Sequence, residues 1–165
     1  MIPEQLANLL GRYKRLGVLV DANLLLLFVL GQYDPTQIET YKRTRKYTRE
    51  DFHLVAHLLE YFDVVATTPH ILTEVSNLAG YLPDRVKGTY FDTFALHITP
   101  LAEEYVTSAA LVQGPNFRGL GLADAAIIEA ARTYLVFTDD FPLANTLQWL
   151  GRDVLNFNHI RMLTW

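Results

Sequence analysis

Three acidic residues stand directly after short apolar runs of this sequence. Asp21 ends the run 17–21, and the pair Asp139 and Asp140 follows the run 134–138. Apolar runs that do not alternate with polar residues are typical of parallel strands covered on both faces, and such sheets bind ligands at the carboxyl ends of their strands. These acids are therefore candidates for a reactive site. For Asp21 the alternative is an N-cap, in which the carboxylate only satisfies the start of the next helix.

Two further acids lie on the apolar stripes of predicted helices. Glu74 is in register with Ile71, Val75 and Leu78, at the spacing of one helical face. Asp124 follows the same pattern, although a role at the start of its helix is the alternative, because it lies in the first turn. A charge on a buried face is costly unless it is paired or bound to a cation. Both residues therefore call for a partner.

The acids are expected to meet, because strand ends and the starts of the following helices lie along one edge of a parallel α/β sheet. Clustered carboxylates repel one another, and they protonate or separate unless a divalent cation binds among them. The sequence has no cysteine, and with oxygen ligands alone hard Mg²⁺ or Mn²⁺ is favoured over Zn²⁺. Such ions suit phosphodiester hydrolysis, because they polarise the phosphate and activate a water molecule.

The elements that must position these acids alternate along the chain. Strands are predicted over 17–21, 63–67, 134–138 and 153–157. Helices are predicted over 3–16, 22–30, 50–62, from 69 past 78, over 83–96 and 101–113, around 124–131, and over 141–150. Residues 22–30 also allow a strand continuation, but Gly31 favours a helix that ends there. The fold class is therefore α/β, a three-layer α/β/α sandwich with a central, mostly parallel sheet, in a single domain of residues 1–165.

A basic segment precedes the third predicted helix. A solvated and mobile face is the default interpretation of such a charge run. The functional alternative is RNA binding, with cations on the phosphates and interleaved tyrosines stacked on bases. The cations are Lys42, Arg43, Arg45, Lys46 and Arg49, and the tyrosines are Tyr41 and Tyr47.

Composition bounds the class of protein. Half of the residues are apolar, which excludes general disorder, and the net charge of -4 argues against coating nucleic acid by bulk charge. The sequence opens with Pro3 and Glu4 rather than with the basic and then apolar residues of a signal peptide. The apolar run 24–30 is far shorter than the ~20 residues that span a bilayer. A soluble, cytoplasmic protein with no membrane partner is expected.

Four segments together resemble the PIN-domain nucleases, in that family's order and across nearly the whole chain. They are 18–23 (Val-Leu-Val-Asp-Ala-Asn), 68–75 (Thr-Pro-His-Ile-Leu-Thr-Glu-Val), 121–125 (Gly-Leu-Ala-Asp-Ala) and 138–143 (Thr-Asp-Asp-Phe-Pro-Leu). The resemblance implies that the catalytic acids are Asp21, Glu74, Asp124 and Asp140. It also assigns Asp21, Asp124, Asp140 and Asp139 to the metal, and supporting roles to Asn23 and Thr138.

The resemblance further implies a ribonuclease dependent on Mg²⁺ or Mn²⁺, as in VapC-type toxins of toxin-antitoxin pairs. The expected partners are an RNA substrate, an antitoxin protein and a second copy of the chain in a homodimer. The chain is longer than a compact VapC toxin and carries the basic segment 33–49 in addition.

Two rival functions use the same kind of fold. One is a nucleic-acid-binding or protein-interaction module that does not cleave, and Mg²⁺-dependent RNA cleavage distinguishes it from a nuclease. The other is a phosphorylated receiver domain, which is disfavoured because its acid pair would follow the first strand, where only Asp21 stands. His70 lies one turn before Glu74 and can approach the same edge of the sheet.

Overall fold

The computed structural model describes residues 4–163 of the chain. In this range five strands form one sheet with the order β3-β2-β1-β4-β5, and all of its strand pairings are parallel. The strands are β1 (Val18–Val20), β2 (Val65–Thr67), β3 (Ala102–Glu103), β4 (Leu135–Thr138) and β5 (Val154–Asn156). Every residue of β1 and β4 is buried, so helices cover both faces of the sheet. The predicted three-layer α/β/α sandwich is confirmed.

Helices connect these strands. They are α1 (Glu4–Tyr13), α2 (Ala22–Tyr33), a 3-10 turn (Pro35–Gln37), α3 (Arg49–Tyr61), α4 (Pro69–Ala79), α5 (Asp84–Ile98), α6 (Ser108–Leu111), α7 (Phe117–Leu120), α8 (Leu122–Ala130), α9 (Phe141–Trp149) and α10 (Phe157–Arg161). None of the helices in residues 4–163 is long and apolar enough to cross a membrane.

The strand order reverses between β1 and β4. From β1 the chain adds β2 and β3 on one side of the sheet and then β4 and β5 on the other. Open α/β sheets bind their ligands at such a reversal, outside the carboxyl ends of the strands. Val20 pairs with Phe137, and the Asp21 N–H donates to the Phe137 carbonyl over 3.1 Å. The residues that follow β1 and β4 are therefore held side by side.

Helix α2 forms the centre of the core. It is apolar on all sides and packs against α3, α4 and α5, which explains why it lacks a polar face. The interpretation of residues 22–30 as a helix is confirmed, but its predicted end at Gly31 is wrong. The helix continues to Tyr33. Gly31 serves packing rather than the helix end, because it leaves room for the Phe52 ring, whose nearest atom would lie 2.2 Å from an added Cβ.

The predicted helix over 101–113 is wrong. Its first residues form β3 instead, where Ala102 pairs with Ala66 and the Glu104 N–H donates to the Thr67 carbonyl over 2.8 Å. The apolar spacing there was compatible with a helix, but the open edge of β2 offers these backbone groups hydrogen bonds that a helix end would lack. Only 108–111 of the predicted range is α-helical.

Smaller differences lie at the boundaries. The predicted last strand over 153–157 ends at Asn156, and the residues that follow form α10. Helix α7 lies in a region for which no element was predicted. Thr68 caps α4, since its side chain accepts a hydrogen bond from the Ile71 N–H, with Pro69 as first residue. The predicted first helix began at Pro3, which lies outside the described residues.

Candidate acidic active site

Four of the predicted acids line one cavity of about 240 Å³ at the carboxyl edge of the sheet. Asp21 precedes α2, Glu74 lies on α4, Asp124 lies in the first turn of α8, and Asp140 precedes α9. Four separate elements thus supply one carboxylate each. We call this space the acid cavity.

The carboxylate of Asp21 is buried and holds the ends of β1 and β4 together. One oxygen accepts the Leu24 N–H over 2.8 Å, which caps α2. The other accepts the Thr138 hydroxyl and the Asp139 N–H, the latter over 3.2 Å. Burial, and then the charge of Asp139, raise the pKa of Asp21 to about 7, although these three hydrogen bonds oppose the rise.

Thr138 links Asp21 to Asp140. Its hydroxyl donates to the Asp21 carboxylate and accepts the Asp140 N–H over 2.9 Å. The Asp140 carboxylate in turn accepts the Leu143 N–H over 2.8 Å and caps α9. The cap interpretation is therefore true of both Asp21 and Asp140, and it coexists with their position on the cavity wall.

Glu74 and Asp124 receive no such donors. Within residues 4–163 neither carboxylate has a hydrogen bond or an ion pair. Burial raises the pKa of Asp124 to about 6, and the charges of Asp140 and Glu74 add to the rise. Partial burial of its carboxylate, followed by the charge of Asp140, also raises the pKa of Glu74. The residue as a whole is exposed, so the expectation that it lies on a buried helical face is wrong, because α4 turns Ile71, Val75 and Ala79 to the core and leaves Glu74 beside them. Since Gly121 occupies the N-cap position of α8, Asp124 is not a cap.

The cavity suits a hydrated ion better than a bare one. Across the described range, no three carboxylate or imidazole side chains stand close enough to hold a metal ion among them. Burial first, and then the charges of Asp140 and Glu74, raise the pKa of Asp124, so the charged acids repel one another across the cavity. Mg²⁺ usually keeps several waters and binds through one or two carboxylates. A cavity of about 240 Å³ has room for such an ion with its water.

Asp139 has the opposite surroundings from Asp140, its neighbour in sequence. Its side chain is only 5% exposed and is not among those that line the acid cavity. It accepts hydrogen bonds from Tyr47 Oη at 2.6 Å, Lys46 Nζ at 2.5 Å and Asn23 Nδ2 at 3.2 Å. Three donors thus satisfy this carboxylate and join the basic segment to the end of β4. We call this group the Asp139 network.

The basic segment is exposed at its cations and buried at its tyrosines. All five cations are exposed, but Lys46 pairs with Asp139 and the Arg43 guanidinium lies 5.4 Å from the centre of the Tyr81 ring. Tyr41 and Tyr47 are buried, with the Tyr41 hydroxyl donating to the Leu78 carbonyl. The expectation that these two tyrosines stack on bases is therefore wrong, because the core needs their rings.

Sequence reasoning missed the Asp139 network. Tyr47 was assigned to base stacking, and Asn158, whose side chain donates to the Asp139 carbonyl over 2.9 Å, was not singled out. Nothing local marks either residue, because the contacts join positions 19 to 92 residues apart.

No protein-family model matches the chain, and no curated protein matches it. The assignment of function therefore depends on the geometry of the acid cavity, together with the motifs that resemble PIN-domain nucleases.

Proposed function

We propose that this protein is a metal-dependent endoribonuclease that hydrolyses RNA phosphodiester bonds at the acid cavity. The observation that carries the proposal is the arrangement of Asp21, Glu74, Asp124 and Asp140 around one cavity, at the strand-order reversal where α/β sheets bind ligands. Two of these acids, Glu74 and Asp124, have raised pKa values and no donors of their own within residues 4–163. A cation is the partner that such carboxylates lack.

The residues have distinct roles in this proposal. Asp21, Asp124 and Asp140 would hold a hydrated Mg²⁺ or Mn²⁺, one or two of them by direct contact and the others through its waters, with Asp21 and Asp140 kept in place by their helix-capping bonds. The ion supplies Lewis-acid polarisation of the phosphate and activation of water. Glu74, whose pKa is raised, would accept the proton of the attacking water as the water oxygen bonds to phosphorus. The ribose oxygen would take a proton from solvent as its bond to phosphorus breaks.

Asp139, Asn23 and Thr138 act behind these residues. Because three donors already satisfy the Asp139 carboxylate, we assign it to positioning rather than to metal binding. Thr138 and Asn23 support the site through their bonds to Asp21 and Asp139. The exposed cations Lys42, Arg45 and Arg49 contact RNA phosphates, as do Arg43 and, more weakly, Lys46.

The motifs also suggest a biological role for the proposed nuclease. A cytoplasmic toxin of a toxin-antitoxin pair, working as a homodimer and held inactive by an antitoxin protein, is consistent with the resemblance to VapC-type enzymes. An adjacent reading frame for a small antitoxin-like protein supports this extension, and its absence removes the extension without affecting the nuclease.

The test is cleavage of a dye-labelled RNA by purified protein with Mn²⁺ and with EDTA. We expect cleavage only with Mn²⁺, and a rate at least roughly a hundredfold lower for Asp124→Asn, which keeps the shape of the side chain but loses its charge. The matched control is Asp92→Asn, which changes an exposed acid in the middle of α5 and is expected to cleave at the wild-type rate. Equal rates for Asp124→Asn and wild type, with both folded, overturn the proposal.

One observation favours the non-catalytic alternative, a nucleic-acid-binding or protein-interaction module. Asp21 and Asp140 already have structural tasks as helix caps, and no set of three ligands is assembled within residues 4–163. Folded protein that binds RNA but does not cleave it with either Mg²⁺ or Mn²⁺ establishes this alternative.

A further inference from the structure

A larger groove opens next to the acid cavity. It encloses about 620 Å³, and Glu74, Leu122 and Ala123 line both spaces. The two spaces are therefore adjacent, with Glu74 on the wall that they share. Concave sites of roughly 300–1,000 Å³ are the usual size for a bound organic ligand. We call this space the tyrosine groove.

Two tyrosines in the groove expose most of their surface. Tyr81 is 73% exposed and Tyr105 is 74% exposed, and both line the groove. Tyr81 follows α4, whereas Tyr105 lies between β3 and α6. Tyr105 falls within the predicted helix over 101–113, but it lies in the connection after the edge strand. Neither ring is needed by the core, and aromatic side chains left in water at a concave site are common in binding surfaces.

The polar groups of the groove are suited to nucleotide chemistry. Arg43 lies over the Tyr81 ring at 5.4 Å and supplies a cation to the wall. His70 Nε2 lies 3.0 Å from Ser108 Oγ, and its buried Nδ1 has no hydrogen-bond partner among the described residues. The groove thus offers flat aromatic faces and a positive charge, and the His70 ring forms part of its wall.

From these contacts we infer that the tyrosine groove binds a single-stranded segment of RNA and leads it into the acid cavity. Unpaired bases stack on Tyr81 and Tyr105, Arg43 contacts a phosphate, and Glu74 marks the point where the backbone enters the acid cavity. Aromatic faces bind bases of any sequence. Duplex RNA is excluded, because its bases are already stacked on one another. The link to cleavage rests on the proposed function, whereas the binding itself does not.

The cation in the groove favours RNA over an apolar peptide as occupant. Arg43 lines the groove, and Lys42 and Arg45, which lie near it in sequence, are exposed. A phosphate backbone matches a cation beside aromatic faces. An apolar peptide uses the rings but not this charge.

The experiment measures binding in EDTA by fluorescence anisotropy, with dye-labelled single-stranded RNA and the same sequence as a duplex. We expect Tyr81→Ala and Tyr105→Ala each to weaken single-strand binding roughly five- to a hundredfold, the usual range for loss of one stacked base. Tyr81→Phe keeps the ring and should bind as wild type does. Tyr61→Ala is the matched control, because Lys14 lies 5.4 Å from the Tyr61 ring centre but Tyr61 lines neither space.

The outcomes separate this inference from the nuclease. Tyrosine-dependent binding without Mn²⁺-dependent cleavage supports the groove and removes the proposed function. Cleavage with unchanged affinity in both alanine variants removes the groove and leaves the nuclease. Duplex binding as tight as single-strand binding, or no single-strand binding, overturns the inference. Tyrosine-dependent binding of an unstructured peptide in place of RNA also overturns it and assigns the groove to a protein partner.

Discussion

The Asp139 network and the acid cavity are adjacent, yet the carboxylate of Asp139 differs from those of Glu74 and Asp124 in the hydrogen bonds that it accepts. Asp139 accepts three side-chain hydrogen bonds, whereas Glu74 and Asp124 have none within residues 4–163. Asp124 is half-buried without a donor, so its charge destabilises the fold unless a ligand binds, whereas the donors of the buried Asp139 carboxylate compensate its charge. Side-chain donors therefore distinguish Asp139 from Glu74 and Asp124. Asp21 and Asp140 lie between these cases, because both accept helix-capping bonds and also line the acid cavity.

The largest expected effect is stabilisation by metal. Mn²⁺ at about a hundredfold over its Kd should raise the free energy of unfolding by roughly 2.7 kcal/mol through mass action. Asp124→Asn should reduce this gain, because it removes a ligand from the acid cavity. Asp139→Asn should keep it. Melting curves with EDTA and with Mn²⁺ measure the response, and a greater loss in Asp139→Asn than in Asp124→Asn would reverse the comparison.

Removal of the satisfied carboxylate should destabilise the fold. Asp139→Ala is expected to lower the free energy of unfolding by about 2 kcal/mol, because the buried Tyr47 hydroxyl loses its acceptor. The loss is partly offset, since the charge of Asp139 raises the pKa of Asp21. Tyr47→Phe removes the donor instead and should cost about 1 kcal/mol. Urea unfolding measures both, and a change under about 0.5 kcal/mol in Asp139→Ala would make the network a surface feature.

Removal of an unsatisfied carboxylate should have the opposite sign. The folded protein holds protons on Asp124 up to a pKa of about 6, whereas its ordinary value is 3.8. Its destabilisation is therefore absent at low pH, grows as pH rises through that window and is complete near pH 7. In EDTA at pH 7, Asp124→Asn should be more stable than wild type by about 1 kcal/mol, after allowance for solvent screening at a half-buried group.

The pH dependence of that difference provides the check. The free energy of unfolding of Asp124→Asn minus that of wild type should be near zero below pH 4 and should reach its plateau above pH 6. Urea unfolding across this pH range measures the difference. Asp92→Asn, at an exposed position on α5, should give a flat difference curve. A flat curve for Asp124→Asn as well would mean that the cavity acids do not repel one another.

The smallest expected effect concerns the cations. Each phosphate contact contributes roughly 0.7 to the log-log salt dependence of single-strand binding. Lys42→Gln and Arg45→Gln should flatten that slope, because both side chains are exposed. Lys46→Gln should change it less, since its ammonium group lies 2.5 Å from Asp139 Oδ2. Titrations of RNA binding at several salt concentrations test this, and equal effects of all three changes would show that Lys46 leaves Asp139 for the phosphate.

The strands and helix starts of this protein could be predicted from the sequence where neighbouring residues alone set them. The apolar runs before Asp21 and Asp139 form buried strands, and Thr68 with Pro69 starts α4, because backbone preference and capping act within a few residues. The positions of Asp21 and Glu74 relative to these elements followed directly. Parallel topology then brought the strand ends and helix starts to one edge of the sheet.

Features that depend on contacts between residues far apart in sequence could not be predicted and required the folded structure. Residues 102–103 form a strand because β2 has an open edge, although their spacing suits a helix. The tertiary contacts also bury Tyr47 against Asp139 and leave Tyr105 exposed in the tyrosine groove. Asp139 and Asp140 are identical in type and adjacent in sequence, so no local rule separates them. Donors 93 residues away at Lys46 and 116 residues away at Asn23 do so, because only a folded chain brings them to one carboxylate.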